Sequence, residues 1–446
     1  MHQAAELDPS FGDNGRLILT SSHRRTFAYD MATGDDDSIF VALSCIDDVA
    51  VGALFGLAKL HPDGRIDQTF GAEGYSVHPA PGETHGNGNS RTRGTRNSPP
   101  YALSQVAEEF GVVAKGIQPF VLPDGKILLR CTSGRPYDIA EPFLARFQAN
   151  GSLDMSFGNE GTRIFVFEEH ILLDANVISL DGELIVLAGR RYRRNDGKID
   201  GVIIRLLEDG SADPSFGEAG ILPAAFPGGV DENVQCAVIQ GEKFILAGMN
   251  SLQALARRFL PNGEIDTTFG SQGTYYLPET EDPDTGPPYF VHVLPTADGG
   301  FIGLGTDPVP GTATSRDYGF VVGIDADGRA NQDFGGGHPI LTPAHLGTAR
   351  LHGGMFDRSG KLVVAGTLGG TYAKGWLVGR YSSSGVPDES FGDRGFMYVV
   401  FGEPAYFNEI ARGFTVQGTR GILLSGQVIN ATSNVSDAVV FRVPLA

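Results

Sequence analysis

One phrase recurs seven times along this chain, and it limits the fold more than any other feature. The copies are LDPSFGDNG (7–15), IDQTFGAEG (66–74), LDMSFGNEG (153–161), ADPSFGEAG (212–220), IDTTFGSQG (265–273), NQDFGGGH (331–338) and PDESFGDRG (387–395). A fixed phrase at a near-fixed period means repeated supersecondary units that stack on one another. The phrase phenylalanines are Phe11, Phe70, Phe157, Phe216, Phe269, Phe334 and Phe391. Their spacing stays between 53 and 65 residues except for one gap of 87, so a single unit carries a large insertion.

Each unit has the same internal order. A short run follows the phrase, as in RLILT (16–20), TRIFVF (162–167) and FMYVV (396–400). A second run ends in a tight turn: FVLPDG (120–125), VISLDG (177–182), VLPTADG (293–299). A third is β-branched and apolar: KILLRC (126–131), ELIVLAG (183–189), KLVVAG (361–366). A fourth carries Arg or Lys and another turn: GLAKLHPDG (56–64), FLARFQANG (143–151), VIIRLLEDG (202–210). Runs of this length and composition, bounded by Gly, Pro, Asp and Asn, read as strands and turns. The best helical stretch, YALSQVAEEF (101–110), falls inside the insertion.

Four strands in seven units predict an all-β chain, a seven-bladed β-propeller of four-stranded blades, which leaves only short protected sheet edges. The alternative is an open solenoid or two smaller domains. A solenoid would want atypical polar repeats at both ends, and the terminal repeats are ordinary. The last unit ends on DAVVFRVPLA (437–446), the equivalent of the fourth run. The N-terminal strand therefore closes the ring against the C-terminal three strands. Residues 1–446 read as one domain, with 78–116 as a large insertion loop in the second repeat.

Asp8, Asp67, Asp154, Asp213, Asp266 and Asp388 share one place in the phrase, which invites a ligand reading. Asp at that place more simply caps a turn, with the Phe packed between blades and the glycines supplying backbone angles. Calcium would need several oxygens converging on one ion. One carboxylate per phrase does not show that, so no cofactor is expected and calcium stays an alternative without support. The sixth copy departs, with Asn331 and His338.

Net charge is −19, which argues against a general nucleic-acid or anionic-membrane binder. No apolar run is long enough to form a transmembrane segment. The segment MHQAAELDPSFG lacks a basic region and an apolar core, so the default location is cytoplasmic. Cys45, Cys131 and Cys236 are odd in number, widely spaced and set in apolar runs, reading as buried hydrophobes. Asn430-Ala-Thr432 and Asn434-Val-Ser436 read as loop composition.

The turns form two populations. Those between runs two and three, and from run four into the phrase, are short. The others are long and irregular: 44–53, 132–142, 190–201, 306–319, 427–437 and the insertion. Alternate connections of an up-and-down blade emerge on the same face, so one face should carry a crown of variable loops. Binding residues concentrate on such loops.

Three features stand out there. The insertion is polar and Gly-rich with Arg91, Arg93 and Arg96, a lid or arm if it is not simply disordered. RRYRRNDGK (190–198) gathers Arg190, Arg191, Tyr192, Arg193 and Arg194 in an acidic protein, and guanidinium groups suit carboxylate or phosphate. A polar residue also recurs near the start of each innermost strand: Gln118, Asn176, Gln235, His292, His352 and Arg412, with Tyr29 and Asp30 in the first unit. Alternation could point these into a central channel, as a plain polar lining or as a ring that orients a ligand. His292, His352 and Arg412 are the catalytic candidates if the protein is an enzyme. No HExxH, GxSxG, Walker or CxxC pattern is present.

The recurring LDxxFGxxG with its upstream (P)DG turn resembles the delta-60 repeat family of bacterial β-propeller-like proteins. The resemblance covers 7–446 and departs at Asn331 and His338. It implies the propeller fold, a bacterial origin and an exported or cell-surface setting, and carries no catalytic residues over. The expected function is non-catalytic: a monomeric binding or scaffold ring offering its loop crown to a protein or glycan ligand. The alternative is a hydrolase, lyase or lactonase at the channel mouth.

Overall fold

A computed structural model of the protein describes residues 6–445 except 23–24, 47–53, 82–114, 134–140, 166–169, 182–183, 194–198, 225–232, 251–252, 279–287, 310–315, 344–347, 369–374, 400–405 and 431–435. The insertion thus lies almost wholly outside the described residues, as do Arg194 and both sequon-like triplets apart from Asn430 and Ser436.

Seven separate four-stranded antiparallel sheets account for the described strands. The chain opens with β1 (Arg16–Leu19). Blade one holds β2 (Arg25–Thr33), β3 (Ile39–Ile46), β4 (Leu54–Leu60) and β5 (Tyr75–Pro79). Blade two holds β6 (Lys115–Val121), β7 (Ile127–Ser133), β8 (Glu141–Phe147) and β9 (Thr162–Ile164). Blade three holds β10 (His170–Asp181), β11 (Leu184–Arg193), β12 (Ile199–Leu207) and β13 (Ile221–Ala224). Blade four holds β14 (Asn233–Gln240), β15 (Lys243–Met249), β16 (Ala254–Phe259) and β17 (Thr274–Tyr276). Blade five holds β18 (Tyr289–Pro295), β19 (Phe301–Val309), β20 (Arg316–Ile324) and β21 (Ile340–Leu341). Blade six holds β22 (Ala349–Phe356), β23 (Leu362–Leu368), β24 (Gly375–Tyr381) and β25 (Phe396–Val399). Blade seven holds β26 (Tyr406–Gln417), β27 (Gly421–Asn430) and β28 (Ser436–Val443), and β1 completes it. Arg16 stands opposite Phe441 and Leu19 opposite Ala438. The ring closes as the sequence led us to expect.

The first strand of each blade is innermost: β2 meets β6 and β26, and β18 meets β14 and β22. Buried apolar side chains of the middle strands form clusters that span neighbouring blades, such as Phe55, Phe143 and Phe147 between blades one and two. All three cysteines are free and buried. Burial pushes the Cys45 thiol up to about 11 and the Cys131 thiol well above its usual value.

The phrase forms a clasp between blades. Its Asp accepts at Oδ1 from the residue two positions on, as Asp154 does from Ser156 Oγ at 2.7 Å. Its Oδ2 takes Arg Nε from the blade's third strand: Arg146–Asp154 at 2.8 Å, Arg205–Asp213 at 2.7 Å and Arg258–Asp266 at 2.8 Å. Arg380–Asp388 at 2.6 Å and Arg442–Asp8 at 2.8 Å repeat it, and Lys59 substitutes in blade one. Each of these five guanidinium groups lies 4.4 to 4.9 Å from the centroid of its phrase Phe ring. The same Arg then reaches the DG turn of the next blade, as Arg442 Nη1 donates to Pro62 O at 2.7 Å and Arg258 Nη1 to Ala326 O at 2.5 Å. The first phrase Gly also donates across: Gly12 N–H to Asp63 O at 2.8 Å and Gly158 N–H to Asp209 O at 2.7 Å.

That contact explains why the turn glycine recurs with the phrase. At Gly210, φ is +80°, and a Cβ would sit 2.8 Å from the Phe157 ring of the preceding blade. Only glycine meets both demands.

The sixth copy loses the clasp at both ends together. Asn331 replaces the Asp, and Gly323 stands where the other blades place Arg or Lys. Phe334 then packs over Gly323, where a Cβ would fall 2.7 Å from its own Cβ. Gly335–Gly337 form a short 3-10 turn, and His338 has φ −108°, so the left-handed glycine that ends the other copies is not required.

Candidate channel-mouth site

Every innermost strand carries a register shift against its neighbour, and the polar residues singled out from sequence cluster there. Tyr29 and Asp30 lie within the shift between Ala28 and Met31. Gln235, His352 and Arg412 lie within those of β14, β22 and β26. Gln118 and His292 are the first residues after the shifts of β6 and β18. Asn176 stands opposite Ala188, between two shifts in β10. Bulges re-aim side chains and recur beside functional sites. Simple alternation does not reveal them, so the candidates occupy two adjacent registers rather than one ring of equivalent positions.

Part of this set comes together on blades five, six, seven, one and two. A Cβ on Gly353 would lie 3.3 Å from His292 Nδ1 and 3.0 Å from Phe414, so His292 rests against the strand that carries His352. His352 Nε2 is 3.2 Å from Thr367 Oγ1. Its ring meets the fully buried Trp376 edge to face, with centroids 6.4 Å apart. The Arg412 guanidinium lies 5.1 Å from the Tyr29 ring centroid, bridging blades seven and one. A Cβ on Gly413 would lie 2.4 Å from Asp30 Oδ1, so glycine lets the Asp30 carboxylate approach β26. Ser425 Oγ fixes the same junction by donating to Tyr29 O at 2.5 Å.

The electrostatics follow from the protein packed around these groups. His352 and Arg412 are exposed. Desolvation nevertheless pushes His352 down to about 4, helped by Arg350 and Arg412, and pushes His292 down to about 4. Both imidazoles are therefore neutral at pH 7. Desolvation pushes Asp30 up to about 6, against the Met31 N–H bond at 2.8 Å, the attraction of Arg130 and a hydrogen bond from Gln118.

Arg130 is the main residue that the sequence reading overlooked. It stands opposite Gln118 in β7. The corresponding partners in blades three to seven are Ala188, Ala247, Leu304, Ala365 and Ser425. A long cation in a column of uncharged residues was the available signal.

The arginine stretch read as a loop begins inside the sheet. Arg190, Arg191 and Tyr192 pair with Gly201, Asp200 and Ile199, and Arg191 is 8% exposed. The strand runs on through Arg193 because cross-strand partners persist beyond the apolar run. The segments 306–319 and 427–437 shorten likewise, since β19 reaches Val309 and β27 reaches Asn430. His292, His352 and Arg412 make no hydrogen bond to one another among the described residues. Arg190–Arg193 sit on blade three, in its second strand.

The comparisons bear on the fold. A family described as a domain of unknown function (DUF5122) beta-propeller matches residues 122–157 and 181–216. Each matched stretch runs from a tight turn to a phrase Phe, in blades two and three. A propeller family is supported by these two repeats. No curated protein matches. Similar solved structures include the β-propeller domain of the Trilobed protease from Pyrococcus furiosus (7% identity, 94% of each chain, TM-score 0.44). Drosophila Semaphorin 1a, extracellular domains 1-2, is 10% identical over 98% of this chain and 89% of that one, with a TM-score of 0.45. The α-L-arabinofuranosidase Arb93a from Fusarium graminearum is 10% identical over 96% of this chain and 97% of that one, with a TM-score of 0.43. These likenesses are too distant to bear on function. Among the described residues no helix is long and apolar enough to cross a membrane.

Proposed function

We propose that the protein is a non-catalytic binding propeller, and that its ligand is a glycan held at the channel mouth between blades five and two. One observation carries this reading. Side chains from separate blades meet at the channel with hydrogen-bonding capacity left open, while each is held by scaffold contacts rather than by a catalytic partner. His352 is fixed by Thr367 and Trp376, Arg412 by Tyr29 and Asp30 by Met31. Neutral imidazoles and an amide suit sugar hydroxyls, which both donate and accept. A thermal-shift panel of neutral and acidic sugars tests it. A ligand at a hundred times its Kd raises stability by about 2.7 kcal/mol. A saturable shift that His292→Ala abolishes supports the reading, and a flat panel overturns it.

A hydrolase or lyase is the second reading, favoured by Asp30. A carboxyl group titrating near pH 6 beside a cation is suited to proton transfer. Turnover of any bound sugar that Asp30→Asn removes would establish this reading instead. The setting follows the same order: an exported or cell-surface location accords with the repeat resemblance, and cell fractionation decides it.

A further inference from the structure

The chain has 53 acidic residues, yet among the described residues the Arg412 guanidinium makes no ion pair or hydrogen bond. Arg350, on the strand that carries His352, is by contrast paired, with Nε 2.5 Å from Asp317 Oδ2. The Arg412 group is exposed and lies 5.1 Å from the Tyr29 ring centroid, a contact that favours this placement before any ligand arrives. Across the junction lies Asp30, whose Oδ1 would be 2.4 Å from a Cβ on Gly413. Its charge is answered by Arg130 and Gln118 rather than by Arg412.

From this geometry we infer that the channel mouth takes a sugar bearing a carboxylate, a uronic acid, with the carboxylate on Arg412 and the ring hydroxyls toward His352 and His292. The inference rests on the glycan reading above and names the ligand class of that site. A guanidinium fork matches the two oxygens of a planar carboxylate in a way that a lysine or a neutral amide cannot. Neutral histidines neither repel this guanidinium nor compete with it for the anion. With His352 Nε2 on Thr367 Oγ1, His352 Nδ1 and the His292 ring are the groups that would meet hydroxyls from the opposite side.

The single tryptophan makes the site readable. Trp376 is the only Trp in the chain and packs against His352, so a ligand that touches His352 alters its emission. The experiment titrates the full chain with glucuronate, glucose, acetate and inorganic phosphate, following binding by calorimetry and location by Trp376 fluorescence. Glucuronate is expected to bind with a saturable fluorescence change, at least tenfold tighter than glucose or acetate. Arg412→Gln should lower glucuronate affinity at least tenfold and leave glucose unaltered. Arg412→Lys, which keeps the charge and loses the fork, should fall between. Circular dichroism and unfolding of both variants should match the parent.

Equal affinity for glucose and glucuronate, unaltered in Arg412→Gln, would overturn this inference and leave the glycan reading standing. Acetate or phosphate binding as tightly as glucuronate would overturn it in favour of a plain anion site. No binding of either sugar would bring down the inference together with the glycan reading.

Discussion

The two sides of this ring are built on opposite plans. On the turn side one device is used again and again: an Arg or Lys from the third strand clamps the phrase Asp, and in five blades the guanidinium also covers the phrase Phe. Gly210 shows how tightly the next blade's turn fits that ring. The innermost strands instead hold Asp30, Gln118, Asn176, Gln235, His292, His352 and Arg412 at or beside their register shifts, a residue set that varies from blade to blade. Repetition marks what every blade needs in order to dock on its neighbour. Divergence beside the shifts marks what the molecule as a whole does with its ring. Blade five sharpens the contrast, because Asn331 and Gly323 abandon both charges of the clasp at once.

Breaking the clasp that closes the ring should have the largest effect. Arg442 joins Asp8, Ser10, Pro62 and Gln417, tying β1 and blade seven to blade one. Arg442→Met leaves buried polar groups without partners and should cost about 4 kcal/mol, read from urea unfolding at pH 7. A loss under about 1 kcal/mol would mean the clasp is decorative. Next in size, Gly210→Ala puts a methyl against Phe157 at a left-handed position. It should cost about 2 kcal/mol.

The channel groups should reveal themselves through pH rather than through overall stability. Asp30 titrates higher when folded, at about 6, than an unfolded Asp at about 3.9. Its contribution is full below about pH 4 and is lost as pH rises toward 6. The histidines run the other way, held at about 4 when folded against about 6.5 unfolded. Their contribution is present above about pH 6.5 and lost as pH falls through 4. Asp30→Asn should therefore steepen the rise of stability between pH 4 and 6.5 and add up to about 2 kcal/mol at pH 7. His292→Gln should flatten the same rise. Curves unchanged by both substitutions would contradict the desolvated channel. The smallest effect is expected at Arg412→Ala, within about 0.5 kcal/mol of the parent, since an exposed group with one ring contact contributes little to the fold.

Much of the ring was legible in the sequence because its determinants are local. Phe11 and its equivalents, the DG turns and the apolar third run each announce a unit, and β1 pairs with β28 as the chain ends implied. The polar candidates on the innermost strands were also readable, as odd residues at matching places. What could not be read is how a bulge turns them. His352 and Arg412 lie within their shifts while His292 lies just past its own, and no composition signal encodes that difference. Arg130 was passed over because it sits inside an otherwise apolar run, although the matching places of blades three to seven hold no charged residue. The partner of the phrase Asp was equally invisible, since Arg205 and Asp213 are brought together only by the fold of the third strand over its own turn.

The most direct test transplants blade five's uncharged state into blade three, where among the described residues Arg205 alone pairs with the Asp213 carboxylate. Stability is measured by urea unfolding for Arg205→Met, Asp213→Asn and the two together. If the clasp is one unit, Arg205→Met alone should cost about 3 kcal/mol, and the double variant should recover at least half of that. Losses that simply add would contradict the account, because the joint departure of Asn331 and Gly323 would then have no physical reason.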